Sequence, residues 1–234
     1  MTDAMARHTR LRDPNLIRHV MSRGNGKMRI FLDEDDYQKF FRVLHEVLDR
    51  YDVECWDFCA MPNHYHLTLR NRRPNLSDAL QHLNGEYATW WNAAHQRVGH
   101  VFQGRYKDQI VQDDDYVRSL TRYIALNPVR AGLVDRPEQW PWSSYRCTAG
   151  LCATPSFLAS ERVLARFGAT TLEERRRQYT AHVLQSSDEE EVKIASFRSR
   201  LRVIGTREFK LALLSKEAPS APSPSSGIAT FGFI

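Results

Sequence analysis

Two imidazoles and a phenol are the residues of this 234-residue chain best placed for chemistry. His64 and His66 lie in Met61-Pro62-Asn63-His64-Tyr65-His66-Leu67-Thr68-Leu69-Arg70, and Tyr123 lies in Arg122-Tyr123-Ile124-Ala125-Leu126-Asn127-Pro128. Side chains alternate along a strand, so the first segment, read as a strand, sets His64, His66, Thr68 and Arg70 on one face and Tyr65, Leu67 and Leu69 on the other. The apolar face packs, while the opposite face can hold one metal ion between two neutral ring nitrogens. A metal beside an arginine suits a phosphodiester, and Tyr123 on a later helix offers a nucleophile for it. Val117, Leu120 and Ile124 already supply that helix's apolar stripe, which leaves Tyr123 at its edge and Asn127 one turn further on the same side. Asn127 reads two ways: its amide oxygen can be a third metal ligand, or it can cap a helical turn that begins at Pro128.

The elements that must position these groups are legible in outline. Leu16–Ser22 reads as a first strand ending at Gly24-Asn25-Gly26. Asp33–Asp36 opens a helix that runs through Asp49, with Tyr37, Phe40, Phe41, Leu44, Val47 and Leu48 at helical spacing. Val53–Ala60, apolar on both faces, reads as a central strand, with Cys55 and Cys59 sharing a face. Pro62-Asn63 turns into the histidine strand, and Asn75 is placed to cap a second helix through Leu80, Leu83, Tyr87, Trp90 and Trp91. A basic loop containing Arg105 and Lys107 leads to a short strand at Gln109–Val111, and Asp113–Asp115 precede the Tyr123 helix as its cap. This order predicts an α+β, ferredoxin-like antiparallel sheet with two helices on one face and the tyrosine-bearing helix near the other. Beyond Tyr145 the pattern predicts a mainly helical extension, with helices at Phe157–Phe167, Leu172–Gln185 and near Lys193–Arg202. The expected division is a nuclease-like domain over 1–150, a helical and partly basic extension over 151–216, and a Pro/Ser-rich disordered tail over 217–234.

The wording of four motifs resembles one family. Met61-Pro62-Asn63-His64-Tyr65-His66-Leu67, Gly104-Arg105-Tyr106-Lys107, Arg122-Tyr123-Ile124-Ala125-Leu126-Asn127-Pro128-Val129-Arg130-Ala131-Gly132-Leu133-Val134 and Trp140-Pro141-Trp142-Ser143-Ser144-Tyr145 occur in the order found in the REP-associated tyrosine transposases, a branch of the single-tyrosine transposases of the histidine-hydrophobic-histidine class. The resemblance covers about residues 7–146. It implies a metal-dependent single-strand DNA endonuclease and strand transferase that acts at DNA hairpins, REP-like palindromes, through a covalent 5′-phosphotyrosine at Tyr123. It further implies a divalent ion, Mg2+ or Mn2+, on His64, His66 and Asn127, and a monomeric enzyme. Arg70, Arg105 and Lys107 are the expected DNA-backbone contacts.

Composition agrees with such a partner. The net charge is +5, and it is uneven: residues 1–30 hold seven Lys/Arg against two Asp, and residues 193–216 hold seven against one Glu. Basic arms of this kind are the electrostatic footprint of a nucleic-acid binder. The four cysteines lack zinc-site spacing and suggest buried thiols in a reducing compartment. No apolar run is long enough for a membrane span, so a cytoplasmic, nucleoid-associated protein is expected. The Trp140-Pro141-Trp142 cluster is expected to be structural rather than a base-stacking platform. Two other functions fit parts of the pattern. A non-catalytic DNA-hairpin binder would keep the fold without turnover. A two-histidine RNA phosphoesterase would use His66-Leu67-Thr68-Leu69 but needs a second His-x-Ser/Thr on another strand, and the only other candidate, His8-Thr9-Arg10, lies in the polar N-terminal arm.

Overall fold

The computed structural model describes residues 13–113, 115–185 and 203–217. Its elements are β1 (Ile17–Arg23), α1 (Glu34–Tyr51), β2 (Val53–Met61), β3 (His64–Asn71), α2 (Leu76–Ala94), β4 (Lys107–Val111), α3 (Asp115–Arg130), α4 (Tyr145–Thr148), α5 (Ser160–Leu164), α6 (Leu172–Leu184), β5 (Val203–Ile204) and α7 (Arg207–Glu217). The strands lie in the order β2-β3-β1-β4-β5. The first four are antiparallel to their neighbours, giving the ferredoxin-like arrangement, while β5 joins β4 in parallel and makes the sheet mixed. Two residues are too short a strand to show any alternation, so β5 has no sequence signal. The expected helix near Lys193–Arg202, the first part of the N-terminal basic arm and the Pro/Ser-rich tail from Ala218 onward lie outside the described residues. Among those described, no helix is long and apolar enough to cross a membrane.

Each sheet face carries its own core. On one, α1 and α2 bury Phe40, Leu44, Leu83, Tyr87 and Trp91 against Val20, Tyr65, Leu67 and Leu69. On the other, α3, α5, the turn after it and α6 bring Leu120, Ile124, Val163, Phe167, Tyr179 and Val183 onto Ile17, Trp56, Cys59 and Met61. Helix α1 starts as its acidic residues require: the Asp33 side chain accepts from the Asp36 amide at 3.1 Å, and Asp52, left-handed at φ 53°, ends the helix. Asn75 does not cap α2 through its side chain. Its amide instead donates to the Tyr51 carbonyl at 2.9 Å and joins the ends of α1 and α2. Asp113 likewise pairs with Arg166, tying the approach to α3 onto the extension.

Strand β2 departs from its expected place and phase. It lies at the edge of the sheet rather than its centre, and it is apolar on both faces because both faces are covered. Its outer side is covered too: the Ala60 amide donates to the Trp142 carbonyl, the Ser144 amide to the Phe58 carbonyl, and the Ala159 amide to the Cys55 carbonyl. That contact, with the bridge from Leu158 to Cys55 and the turn at Ser156-Phe157, keeps residues 156–159 out of helix, and α5 therefore starts only at Ser160 rather than near Phe157. A bulge between Cys55 and Asp57 shifts the pairing with β3 by one residue, and a one-residue shift reverses which side chains face which core. Cys55 consequently packs with α1 and α2 while Cys59 packs under α3, so the two thiols do not share a face. Cys152 is exposed, unlike the other three cysteines. Trp140 and Trp142 are structural, with Trp142 stacked on Tyr37 at 4.4 Å and the Trp140 indole donating to the Ala60 carbonyl at 3.0 Å.

The bulge also turns Asp57 toward α3. Its carboxylate accepts from Thr121 of α3 and from Ser144 at the start of α4, and Ser144 in turn accepts from the Phe58 amide at 3.0 Å. Burial raises the Asp57 pKa to about 7, against the opposing pull of the Ser144 and Thr121 hydroxyls. The folded pKa lies above the unfolded value, so the group's contribution to stability is full below about pH 4 and is lost as pH rises through about 7. Asp57→Asn should remove that component. Urea unfolding at pH 5 and pH 8 is expected to show the wild type losing about 3 kcal/mol relative to the variant between the two, at about 1.4 kcal/mol per pKa unit. Parallel behaviour of the two proteins would mean that Asp57 titrates as an ordinary carboxylate.

Candidate functional site

The pairing of three strands places a buried polar surface beneath α3. Arg23 of β1 lies opposite His64, Met21 opposite His66, and His19 opposite Thr68, while on the other side of β1 Met21 pairs with Lys107 and His19 with Gln109. Directly paired residues share a face, so a polar row of Asp57, Thr68, His19 and Gln109 crosses four strands, every member no more than 2% exposed. Tyr65, between the two histidines, points the other way and is fully buried, with its hydroxyl donating to Asn84 of α2 at 2.7 Å. The histidine strand is thus fixed from behind by the packing of its alternate residues.

Helix α3 sets Tyr123 over this surface. Its ring centroid is 5.6 Å from that of His66 and 5.9 Å from that of His19, edge-on to both. Arg122, beside it, is buried and donates to the carbonyls of Val183 and Gln185 at the end of α6, which anchors α3 from its far side. Burial raises the Tyr123 pKa, while a side-chain hydrogen bond with Asn127 and the cations of Arg130 and Arg23 pull it back down. The Arg130 guanidinium lies over the Tyr123 ring at 5.6 Å. Asn127 is not an N-cap: α3 continues through Pro128 to Arg130, and the Asn127 amide group donates to the Tyr123 carbonyl at 3.1 Å.

The hydrogen bonds of His64 define its tautomer. The Asn63 amide nitrogen donates to the Lys27 carbonyl at 3.1 Å, which turns Asn63 Oδ1 toward His64 Nδ1 at 2.6 Å. An amide oxygen only accepts, so His64 carries its proton on Nδ1 and leaves Nε2 as a lone pair. His66 is 2% exposed and its Nε2 has no hydrogen-bond partner. An orphaned buried ring nitrogen is costly unless something binds it, and a neutral imidazole pair with one amide oxygen fits a divalent ion. No group of three His, Cys, Asp or Glu converges among the described residues, so a third protein ligand would have to come from another residue type.

His64, His66, Tyr123 and Asn127 therefore come together. Lys107 is exposed at the start of β4, in the His66 row and two strands away, about 10 Å at normal strand spacing. Arg105, also exposed, precedes it. Arg70 shares the histidine face but lies four residues past His66, about 13 Å along the strand, opposite Ile17 and Glu54. Sequence reasoning did not single out His19, Arg23, Asn63 or Arg130. Arg130 was accessible from its seven-residue helical spacing to Tyr123, whereas His19 and Arg23 depend on the register of β1 against β3.

Comparison with known proteins agrees with this geometry. Residues 14–127 match the family model described as "Transposase IS200 like". A Haemophilus influenzae protein named as a candidate REP-associated tyrosine transposase is 25% identical over 122 residues, covering 47% of this chain and 69% of that protein. A solved structure of a REP-associated tyrosine transposase bound to a REP hairpin matches with a TM-score of 0.55 and 17% identity, over 66% of this chain and 92% of that one. At that identity the last match speaks to the fold.

Burial lowers the pKa of His19 to about 3 and of His64 to about 3, the latter helped by Arg23, and holds His66 well below its ordinary value. Unfolded histidines take up protons near pH 6.5 that these rings refuse, so in chelator the fold should lose stability as pH falls from 6.5 toward 5, opposite to the Asp57 contribution. Imidazole proton shifts followed from pH 7.5 to 5 should show His19, His64 and His66 unchanged. Titration of any of the three near 6.5 would contradict their burial as neutral rings.

Proposed function

We propose, from a domain whose residues 14–127 belong to the IS200-like transposase family, that this chain is a tyrosine transposase that cleaves and rejoins single-stranded DNA beside a hairpin. The observation that carries the reading is the Tyr123 ring set edge-on to His66, whose buried Nε2 has no partner. The Tyr123 oxygen attacks a backbone phosphorus, forming the P–O bond of a 5′-phosphotyrosine as the bond to the 3′ oxygen breaks. The phenolic proton passes to solvent, to which the ring is partly open, and the leaving 3′ oxygen is released as a hydroxyl. The phosphodiester energy stays in the tyrosine ester, so attack by a 3′-hydroxyl on it rejoins strands without ATP. Arg23 and Arg130 favour the phenolate and the charge on the phosphoryl oxygens.

His64 and His66, through Nε2, and Asn127, through its amide oxygen, would hold Mg2+ or Mn2+. Bound there, the ion would polarise the scissile phosphate and neutralise developing charge. Lys107 and Arg105 lie where a strand approaching Tyr123 over β1 and β4 would present its phosphates, and Arg70 would meet the strand further along β3. The substrate is inferred to be a hairpin formed by a short imperfect palindrome; the solved structure matched above holds a REP hairpin.

Two variants test the assignment. Tyr123→Phe should abolish the covalent protein–DNA adduct on a denaturing gel while hairpin binding stays near wild type, because only one oxygen is removed. An undiminished adduct would transfer the nucleophile to another residue, with Tyr116 the first to examine. Asn127→Ala should lower cleavage with partial rescue by added Mn2+, at little cost to stability, since the residue caps nothing. Loss of stability with normal metal dependence would remove Asn127 from the ligand set.

A further inference from the structure

Two thiols away from the Tyr123 site lie close enough to react with each other. Cys147, in α4, and Cys152, in the loop beyond it, have their sulfurs 3.0 Å apart. The chain between them is a closed helix cap. The Gly150 amide donates to the Cys147 carbonyl at 3.1 Å and the Leu151 amide to the Arg146 carbonyl at 2.8 Å, with Gly150 left-handed at φ 81°. That pair of bonds around a left-handed residue is the Schellman arrangement, which reverses the chain after a helix and here returns Cys152 over the turn of α4. The cap is seated against α6 as well, because a Cβ at Gly150 would come within 2.9 Å of Arg176 Cδ. Backbone bonds therefore hold the two sulfurs together, in addition to their own contact.

The thiols differ in access. Cys147 is buried in the core of α1 and α2, whereas Cys152 is exposed. Burial, helped by the adjacent Cys152 thiol, pushes the Cys147 pKa up to about 12, so this sulfur stays protonated and inert until something reaches it. An oxidant in solution meets Cys152 first, and the next sulfur within reach is Cys147. We propose that Cys147 and Cys152 are a modification site, a reversible dithiol that hydrogen peroxide or a small-molecule disulfide closes into an intramolecular disulfide. With hydrogen peroxide, the Cys152 thiolate attacks one oxygen and breaks the O–O bond, leaving a sulfenic acid and one water. Cys147 sulfur then attacks Cys152 sulfur, the S–O bond breaks, and the hydroxyl leaves with the Cys147 proton as a second water. The two thiols have given up two hydrogens and two electrons, and the peroxide has become two waters. Closure brings the sulfurs from 3.0 Å to the bonded length of about 2.05 Å, a small movement for two side chains already facing each other. In a reducing compartment the pair rests as two thiols, and the closed form marks exposure to oxidant. The bond staples the cap of α4, next to the Ser144 hydroxyl that holds Asp57 beneath α3, and by restricting the unfolded chain it stabilises the fold.

This site is independent of the reaction proposed at Tyr123, and mass spectrometry tests it directly. The folded full chain is treated with hydrogen peroxide or, separately, with oxidised glutathione; it is then unfolded, alkylated and digested with trypsin. Cleavage after Arg146 and Arg162 leaves both cysteines on one peptide, residues 147–162. That peptide should appear lighter by two hydrogens and closed to alkylation, should open again with dithiothreitol, and should do so while Cys55 and Cys59 are still alkylated in full. Cys152→Ser, an exposed and conservative change, should leave Cys147 reduced under the same treatment. In Cys147→Ser, Cys152 should stop at a sulfenic acid that dimedone traps, or at a mixed disulfide with glutathione. The urea midpoint of the oxidised wild type should rise above that of the reduced protein, with no such difference in Cys152→Ser. Oxygen atoms or glutathione accumulating on Cys152 of the wild type, without loss of two hydrogens, would overturn the pair and leave an ordinary exposed thiol. Cysteines that stay alkylatable after both oxidants would overturn it too, and a disulfide formed with no rise in midpoint would overturn its role as a staple.

Discussion

Three imidazoles on one face of a sheet, His19 and His66 buried and His64 partly so, constrain everything around them, because rings withdrawn from water in this way are held neutral. Charged, they would repel in a medium too poor in water to screen them; neutral and unpaired, each would leave a costly orphan. The fold meets part of this by lining the rings up in register: His64 is oriented from the Asn63 turn, while His66 Nδ1 and His19 Nε2 share a hydrogen bond between β3 and β1. What remains is the Nε2 lone pair of His64 and the unpartnered Nε2 of His66, next to a phenol.

The helix carrying that phenol is fixed by contacts on both of its sides. Thr121 bonds Asp57 beneath it, and Arg122 bonds the last carbonyls of α6 behind it, so the two residues immediately before Tyr123 are both tied down. The segment beyond Tyr145 therefore bears on the site: α5 and α6 share the core that α3 lies on, and Tyr179 and Val183 are fully buried there. In the mechanism proposed above, a helix held this way would keep the Tyr123 oxygen within the narrow geometry that in-line attack requires.

The bulge in β2 shows how a small irregularity decides which side chains lie beneath α3. One extra residue turns Asp57 to the site face and separates Cys55 from Cys59 onto opposite cores. Without the shift, the phase set by Val53 and Cys55 would carry through the strand and set Asp57, not Phe58, toward α1 and α2. Asp57 would then be unable to reach Thr121. The same strand is sheltered at its outer edge by backbone pairing with Trp142, Ser144 and Ala159, which explains why an edge strand can be apolar on both faces.

The sequence by itself determined the alternation that puts His64 and His66 together, the helical spacing that sets Asn127 and Arg130 on the Tyr123 side, and the β-α-β-β-α-β order, because periods of two and 3.6 are local properties of the chain. It could not reveal β5, the phase break at Asp57 or the edge position of β2, since these follow from pairing between distant segments. Nor could it show that Asn127 lies inside a helix that tolerates Pro128 in its last turn, where a capping position was as good a local reading. His19 is the clearest case. Nothing local distinguishes it from a packed strand histidine. Only the register that sets Met21 against His66 and His19 against Gln109 brings its ring to His66, and that register is a property of the assembled sheet.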